Sequence, residues 1–277
     1  MKCETLVLVL GDLLSVISPA LKRVCSDIDR ILLLEVREEA EYVPQHKIRL
    51  VLFFSAMRLF RDELRERGYK VEYTLLDDPE NRGSIEGELV RRLEQLKPER
   101  LVCVEPGDHR VQLIITTAAE KSGTEIEFVD DTHFMTSITA FRDIAIERKS
   151  LLMEYFYRDV RRKTGILVSD NQPVGGQWNF DKDNRDSFGK SGPPEIKAPR
   201  QFDPDDITRQ VIGMVETQFP EAPGHLKHFD YPVTRDQASA ALQDFVTHRL
   251  HGFGQYQDAM AMGRPYLFHS RLSSALN

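Results

Sequence analysis

Long apolar runs are missing from this chain of 277 residues. Nowhere do about eighteen apolar residues follow one another, which argues against an apolar membrane-spanning helix. Cysteine is scarce: Cys3, Cys25 and Cys103 stand apart with no Cys-x-x-Cys pair. That spacing fits a reducing compartment and offers no zinc or cluster site within these residues. No Gly-x-Gly-x-x-Gly follows the first apolar segment, and neither Gly-x-Ser-x-Gly nor His-Glu-x-x-His occurs. The standard dinucleotide fingerprint and two common hydrolase signatures are therefore lacking. Positive charge is in deficit as well, since the formal net charge is −7. A protein holding DNA mainly through phosphates is usually more basic. Met1 to Thr5 runs directly into a six-residue apolar segment, too short for a signal core. The expectation is a soluble, cytoplasmic protein with no membrane partner.

What is present is an alternation of short apolar runs with amphipathic ones. Thr5 to Leu10 is a continuous apolar run ending at Gly11-Asp12, and Ile31 to Val36 repeats the pattern. Both read as buried strands. Between His46 and Arg67, Leu50, Phe53, Met57, Phe60 and Leu64 recur at spacings of three and four, one helical face with Gly68 as its stop. Val71 to Leu75, Arg100 to Val104 and Glu125 to Val129 read as further strands, separated by helices around Ile85 to Leu96 and Val111 to Lys121. Strands alternating with helices predict a doubly wound parallel sheet, an α/β domain over residues 1–135. Ligands of such sheets sit beyond the carboxyl ends of the strands. Gly11, Asp12 and Glu35 lie there, and a carboxylate inside an apolar run must be paired or stand at a mouth.

A junction follows. Met153 to Gly165 carries Tyr155, Phe156, Arg158, Arg161 and Arg162 at helical spacing, and Gln172 to Arg185 holds a Gly-Gly turn and the lone Trp178. Arg158, Arg161, Arg162 and Lys163 are the densest basic cluster, readable as a nucleic-acid face or as the solvated side of a helix. Thr164 to Asp203 is a long Gly-, Pro- and Asp-rich loop whose aromatics Trp178, Phe180 and Phe188 need a packing surface. Residues 136–203 are accordingly assigned to a connecting helix and loop. Residues 204–277 read as the opening of an all-helical domain. Asp203-Pro204 is the expected cap of its first helix. Thr234 and Gln237 form the capping box of the next, whose buried side is Ala238, Leu242, Phe245 and Arg249. In the tail, Gly263 to Pro265 precede Phe268-His269-Ser270 and then Ser273 and Ser274. Hydroxyls at the start of a helix suit an anion such as phosphate, although serine is also a common plain cap.

The words Leu10 to Ser15, Met153 to Gly165, Gln172 to Arg185 and Tyr256 to Ser273 together resemble the iron–sulfur bacterial cryptochromes and photolyases. The resemblance runs through nearly the whole chain in order. It implies an antenna domain that holds 6,7-dimethyl-8-ribityllumazine at Gly11, Asp12 and Glu35, with His46 and Lys47 as neighbours. Leu13 stands where the family pattern usually has Gln, so one polar contact is expected to be lost. It further implies FAD contacts at Tyr256, His269, Ser270, Leu272 and Ser273, with Ser274 departing from the pattern, and places Arg185 on the DNA lesion side. Chain end at Asn277 reads as a helix cut near its start. The 4Fe–4S cluster and the rest of the flavin pocket are expected in a helical half outside this chain.

The function implied by the resemblance is light-driven repair of (6-4) photoproducts in UV-damaged DNA by electron transfer from reduced FAD. A blue-light receptor of the cryptochrome type is the alternative, and a non-catalytic pigment- or nucleotide-binding module is a second. No residue of the chain stands out as a general acid or base, so this part alone is expected to be inactive. His225, His228, His248 and His251 read as structural or solvent-facing, and His109 of the Glu-Pro-Gly-Asp-His-Arg turn as a weaker site candidate. Helical surface left uncovered would favour oligomers or aggregation.

Overall fold

The computed structural model describes residues 3–25, 27–146 and 148–275. The chain forms two compact units. The first takes the residues up to Asp131 together with Gln201–Ser239 and the residues from Ser273; the second takes Thr132–Arg200 and Ala240–Leu272. Among the described residues no helix is long and apolar enough to cross a membrane.

The first unit is built on five parallel strands, β1 (Thr5–Leu8), β2 (Arg30–Leu34), β3 (Val71–Thr74), β4 (Arg100–Val104) and β5 (Glu125–Val129), in the order β3-β2-β1-β4-β5. The expected doubly wound α/β sheet is thus the fold. Central strands are apolar on both faces because helices cover both. Leu6 and Leu8 of β1 face a core made with α3 (Ile85–Leu96) and α4 (His109–Ser122), where Leu89, Leu93 and Ile115 are buried. Val7 and Val9 point the other way, toward Phe60 and Leu64 of α2 (Lys47–Glu66). The alternation of β1 thus decides which helix each residue meets.

Helix α2 is buried on more of its circumference than a surface helix, because a second helix lies on its outer side. In α7 (Asp206–Gln218), Val211, Met214 and Val215 form one core with Leu50, Val51 and Phe54 of α2, and Phe54 stacks on Phe219 at 6.4 Å between centroids. The α7 cap is Asp205, whose Oδ1 accepts from Thr208 N at 2.7 Å, and the expected Asp203-Pro204 cap is corrected to this position. Either aspartate could cap a helix. Starting at Asp205 is the register in which Thr208, Val211 and Val215 all turn inward.

At the start of α8 (Arg235–His248), Gln237 N donates to Thr234 Oγ1, and the Gln237 side chain accepts from Val233 N at 2.8 Å, the expected capping box displaced by one residue at its return bond. Further along, Phe245 and Arg249 are buried as expected, but Leu242 is 47% exposed. The buried edge of this part of the helix is set by Phe245, edge-on to Phe253 of α9 (Leu250–Phe253), and by Arg249, which pairs with Asp244 at 2.9 Å.

In the second unit, α5 (Ile138–Ile146) meets α6 (Met153–Thr164) through an edge-to-face contact of Phe141 with Phe156, centroids 5.2 Å apart. Gly165, at φ 71°, ends α6 in a left-handed turn that few other residues adopt. The long loop that follows contains a two-residue antiparallel ladder, Val168–Ser169 with Gln172–Pro173, and a short helical turn at Asp181–Asp183. Its aromatics have partners. Phe188 stacks on Tyr256 at 4.7 Å, and Tyr256 stacks on Phe268 at 5.5 Å.

Candidate functional site

A cavity of about 370 Å³ opens beyond the carboxyl ends of β1, β2 and β4, where the strand order reverses. Its size is that of a small-ligand site. From β1 come Leu8 to Asp12. Leu13 N donates to Leu10 O at 3.0 Å and closes the turn. A Cβ on Gly11 would lie 2.9 Å from Met57 Sδ, so the absence of a side chain lets this turn pass close against α2. Leu34 and Val36 come from the end of β2. After β4, a second Gly-Asp pair, Gly107-Asp108, forms the opposite bank, and Asp108 Oδ1 caps α4 by accepting from Arg110 N at 2.8 Å. Further walls come from Tyr42, Val43 and Gln45, after α1 (Arg37–Glu41), and from Leu50, Phe53 and Met57 of α2.

The cavity is chiefly apolar and aromatic, with Asp12, Glu39, Gln45, Arg49 and Asp108 as its polar groups. Such walls hold a flat ring by dispersion and area burial, while a few polar groups fix its orientation. The Cys103 thiol lies beneath the strand ends, fully buried, and burial, aided by the charge of Asp12, pushes its pKa far above the ordinary thiol range.

The sequence-derived candidates separate in space. Gly11 and Asp12 line the cavity; Glu35, His46 and Lys47 are not among its lining residues. Glu35 is 1% exposed and its carboxylate is fully engaged by the scaffold. Arg58 donates Nε to Oε1 at 2.7 Å and Nη2 to Oε2 at 2.8 Å. Tyr73 Oη donates to Oε1 at 2.6 Å and Leu76 N to Oε2 at 2.9 Å. Four donors on one carboxylate satisfy a buried charge. Burial raises the Tyr73 hydroxyl pKa, with the neighbouring Glu35 carboxylate the next cause. Of the two neighbours expected beside it, His46 caps α2, its Nδ1 accepting from Ile48 N, and its ring occupies the space a Cβ on Gly224 would need, 2.1 Å away. Lys47 donates Nζ to Pro220 O and its backbone N to Pro223 O. Leu13 packs in the core between sheet and α2, outside the cavity.

In the second unit, Tyr256 presents its ring to Phe188 and Phe268, as described, and His269 Nδ1 accepts from Leu267 N at 3.3 Å. Ser270 Oγ accepts from Leu272 N at 3.3 Å. Leu272–Ala275 is one short helical turn, and Ser273 groups with the first unit. The His269 and Ser270 side chains thus close local turns. Arg185 is exposed. The basic cluster of α6 is largely engaged: Arg158, Arg161 and Arg162 lie 5.9, 5.1 and 4.7 Å from the Trp178 ring. Arg158 also pairs with Glu154, Arg162 with Asp159, and buried Arg161 donates to Ile166 O and Leu167 O. Trp178 has found its packing surface, and these arginines are its ring of cations.

Tyr42, Gln45, Arg49, Phe53 and Asp108 were not expected at the site. One signal for Asp108 was available: the Gly-Asp pair that begins three residues past β1 recurs three residues past β4, at Gly107-Asp108.

A family model described as deoxyribodipyrimidine photo-lyase-related protein matches residues 7–231 of this chain. The chain is 45% identical over 274 residues to a (6-4) photolyase of Agrobacterium fabrum, an alignment covering 98% of this chain and 53% of that protein. It is also 24% identical over 145 residues to an uncharacterized protein of Acanthamoeba polyphaga mimivirus, covering 51% of this chain and 71% of that one. The chain therefore spans about half the length of the photolyase it matches.

Proposed function

Because the chain belongs to the deoxyribodipyrimidine photo-lyase-related protein family, we propose that its first unit is a light-harvesting module whose cavity at the strand ends takes a pigment of the ribityllumazine class. The observation that carries this is the cavity itself: a ring-sized space walled by Tyr42, Leu50, Phe53 and Met57, with Asp12, Gln45 and Arg49 as polar groups around it. A fused heteroaromatic ring with a hydroxylated side chain fits that donor set. When bound, such a pigment absorbs light and passes the excitation energy on; the chain's residues exclude water and fix the ring's orientation. Asp12 and Gln45 are assigned the polar contacts. Glu35 acts one step removed, holding the end of β2 and the segment at Leu76 in place.

For a protein of the relative's full length, we propose light-driven repair of (6-4) photoproducts in UV-damaged DNA, with FAD as the electron donor. In this chain Tyr256, His269, Ser270, Leu272 and Ser273 are the proposed flavin contacts and Arg185 the proposed lesion-side residue. His269 and Ser270 hold local turns here, and Tyr256 is stacked between Phe188 and Phe268. No 4Fe–4S ligand is assigned to this chain.

The test is spectroscopic. Purified chain is incubated with 6,7-dimethyl-8-ribityllumazine, and binding is followed by fluorescence anisotropy. Saturable binding, weakened by Gln45→Ala and Asp12→Asn, is expected; anisotropy that stays at the free-pigment value would remove the pigment assignment. For the flavin assignment, Ser270→Ala with Ser273→Ala is expected to lower FAD content in a full-length protein, and equal occupancy would reject it.

A further inference from the structure

Arg110 bridges the two banks of the cavity without itself lining it. It stands on α4 and reaches to the segment 37–45, which forms the opposite rim. Its Nη1 donates to Glu39 Oε1 at 2.7 Å and its Nη2 to Glu39 Oε2 at 2.9 Å. The guanidinium also stacks 4.0 Å over the Tyr42 ring and lies 3.4 Å from Asp108 Oδ2. Glu39, Tyr42 and Asp108 all line the cavity. The ends of the segment are tied elsewhere. Arg37 donates to Gln218 O and Oε1, Glu38 N to Gly83 O, and Lys47 N to Pro223 O. Its middle, with Glu39 and Tyr42, is what Arg110 holds.

We propose that Arg110 is a positioning residue that clasps segment 37–45 across the cavity mouth and slows escape of the bound pigment. The proposal rests on the cavity being the pigment site. The fork geometry matters: a planar guanidinium can grip both Glu39 oxygens and lie flat on Tyr42 at once, whereas an ammonium can do only part of this. Charge is also balanced here, because Arg110 neutralises a carboxylate that would otherwise face the ring.

The experiment measures 6,7-dimethyl-8-ribityllumazine dissociation by stopped-flow fluorescence, and backbone hydrogen exchange of residues 38–45 in pigment-free protein. Arg110→Gln and Glu39→Gln are expected to raise the dissociation rate about tenfold, as loss of a charge-assisted pair acts mainly on the off-rate. The double variant should be no faster than either single one, Arg110→Lys should fall between, and His109→Ala, an exposed neighbour, should match the parent. Exchange at residues 38–45 should quicken in the same variants. A dissociation rate within twofold of the parent in Arg110→Gln overturns the clasp. If the parent binds no pigment, the pigment assignment fails instead, and exchange still decides: unchanged protection at 38–45 overturns the clasp, and faster exchange supports it.

Discussion

The Arg58 guanidinium grips the Glu35 carboxylate with two parallel bonds of 2.7 and 2.8 Å, and both side chains are buried. This pair ties the end of β2 to the middle of α2 and, through Leu76 N, to the segment after β3. Removing one partner leaves the other charged and unpaired in the interior. Glu35→Ala and Arg58→Ala are each expected to cost about 3–5 kcal/mol of stability, whereas Tyr73→Phe costs about 1 kcal/mol. Urea unfolding monitored by circular dichroism measures this. If Glu35→Ala unfolds at the parent's midpoint yet loses pigment, the carboxylate is a ligand and not a strut.

At Gly11 the prediction concerns the cavity. Gly11→Ala forces a Cβ within 2.9 Å of Met57 Sδ, and the flexible thioether must yield toward the cavity it lines. Overpacking of this kind costs about 1–3 kcal/mol. Lumazine affinity is expected to fall while circular dichroism keeps the parent spectrum. Undiminished affinity would place the ring away from the β1 turn.

Acid should loosen both units by the same mechanism. For Glu88, buried in α3, burial pushes its pKa up, but hydrogen bonds from Arg91, Arg82 N and Thr74 prevail and hold it below the ordinary glutamate value. For Asp244, burial is again opposed and overcome, here by Lys197 and Arg249. Folded pKa values below the unfolded ones mean the stabilisation is complete above the ordinary carboxylate range and is lost as pH falls through the folded values. Thermal midpoints should be insensitive to these groups between pH 5 and 7, roughly, and should drop below about pH 4.5. Glu88→Gln is expected to be less stable at pH 7 and to show a shallower acid decline. An equally steep decline in that variant would assign the effect elsewhere.

Thiol chemistry gives a simple count. Of three free cysteines, Cys25 is exposed, while Cys3 and Cys103 are buried with pKa values raised chiefly by burial. Native protein should react with one equivalent of a thiol reagent and denatured protein with three, Cys25→Ser abolishing the native reaction. Rapid labelling of Cys103 would mean that the strand ends open to solvent.

How far the sequence carried can be judged residue by residue. The strands were legible because each is a short apolar run ended by a turn, and their alternation with helices named the sheet. Gly11-Asp12 was legible as a strand-end turn, and the same pair after β4 was passed over in favour of His109. Glu35 looked like a site residue because a lone carboxylate in an apolar run demands an explanation. The explanation, Arg58, lies 23 residues on and on another element, and nothing local announces it. Leu242 was misplaced because periodicity gives a face but not its partner; the buried edge was set by Asp244, Phe245 and Arg249. Similarly, the seat of α7 on α2 is a tertiary fact that no local pattern announces.

Trp178 is the chain's sole tryptophan and belongs to the second unit, ringed by three guanidinium groups. Indole emission excited near the red edge of its band therefore comes from that unit alone, while the parallel sheet of the first carries no such fluorophore. One sample, heated once, can thus report the melting of each half separately, by emission for the one and, if the proposed pigment binds, by its release for the other.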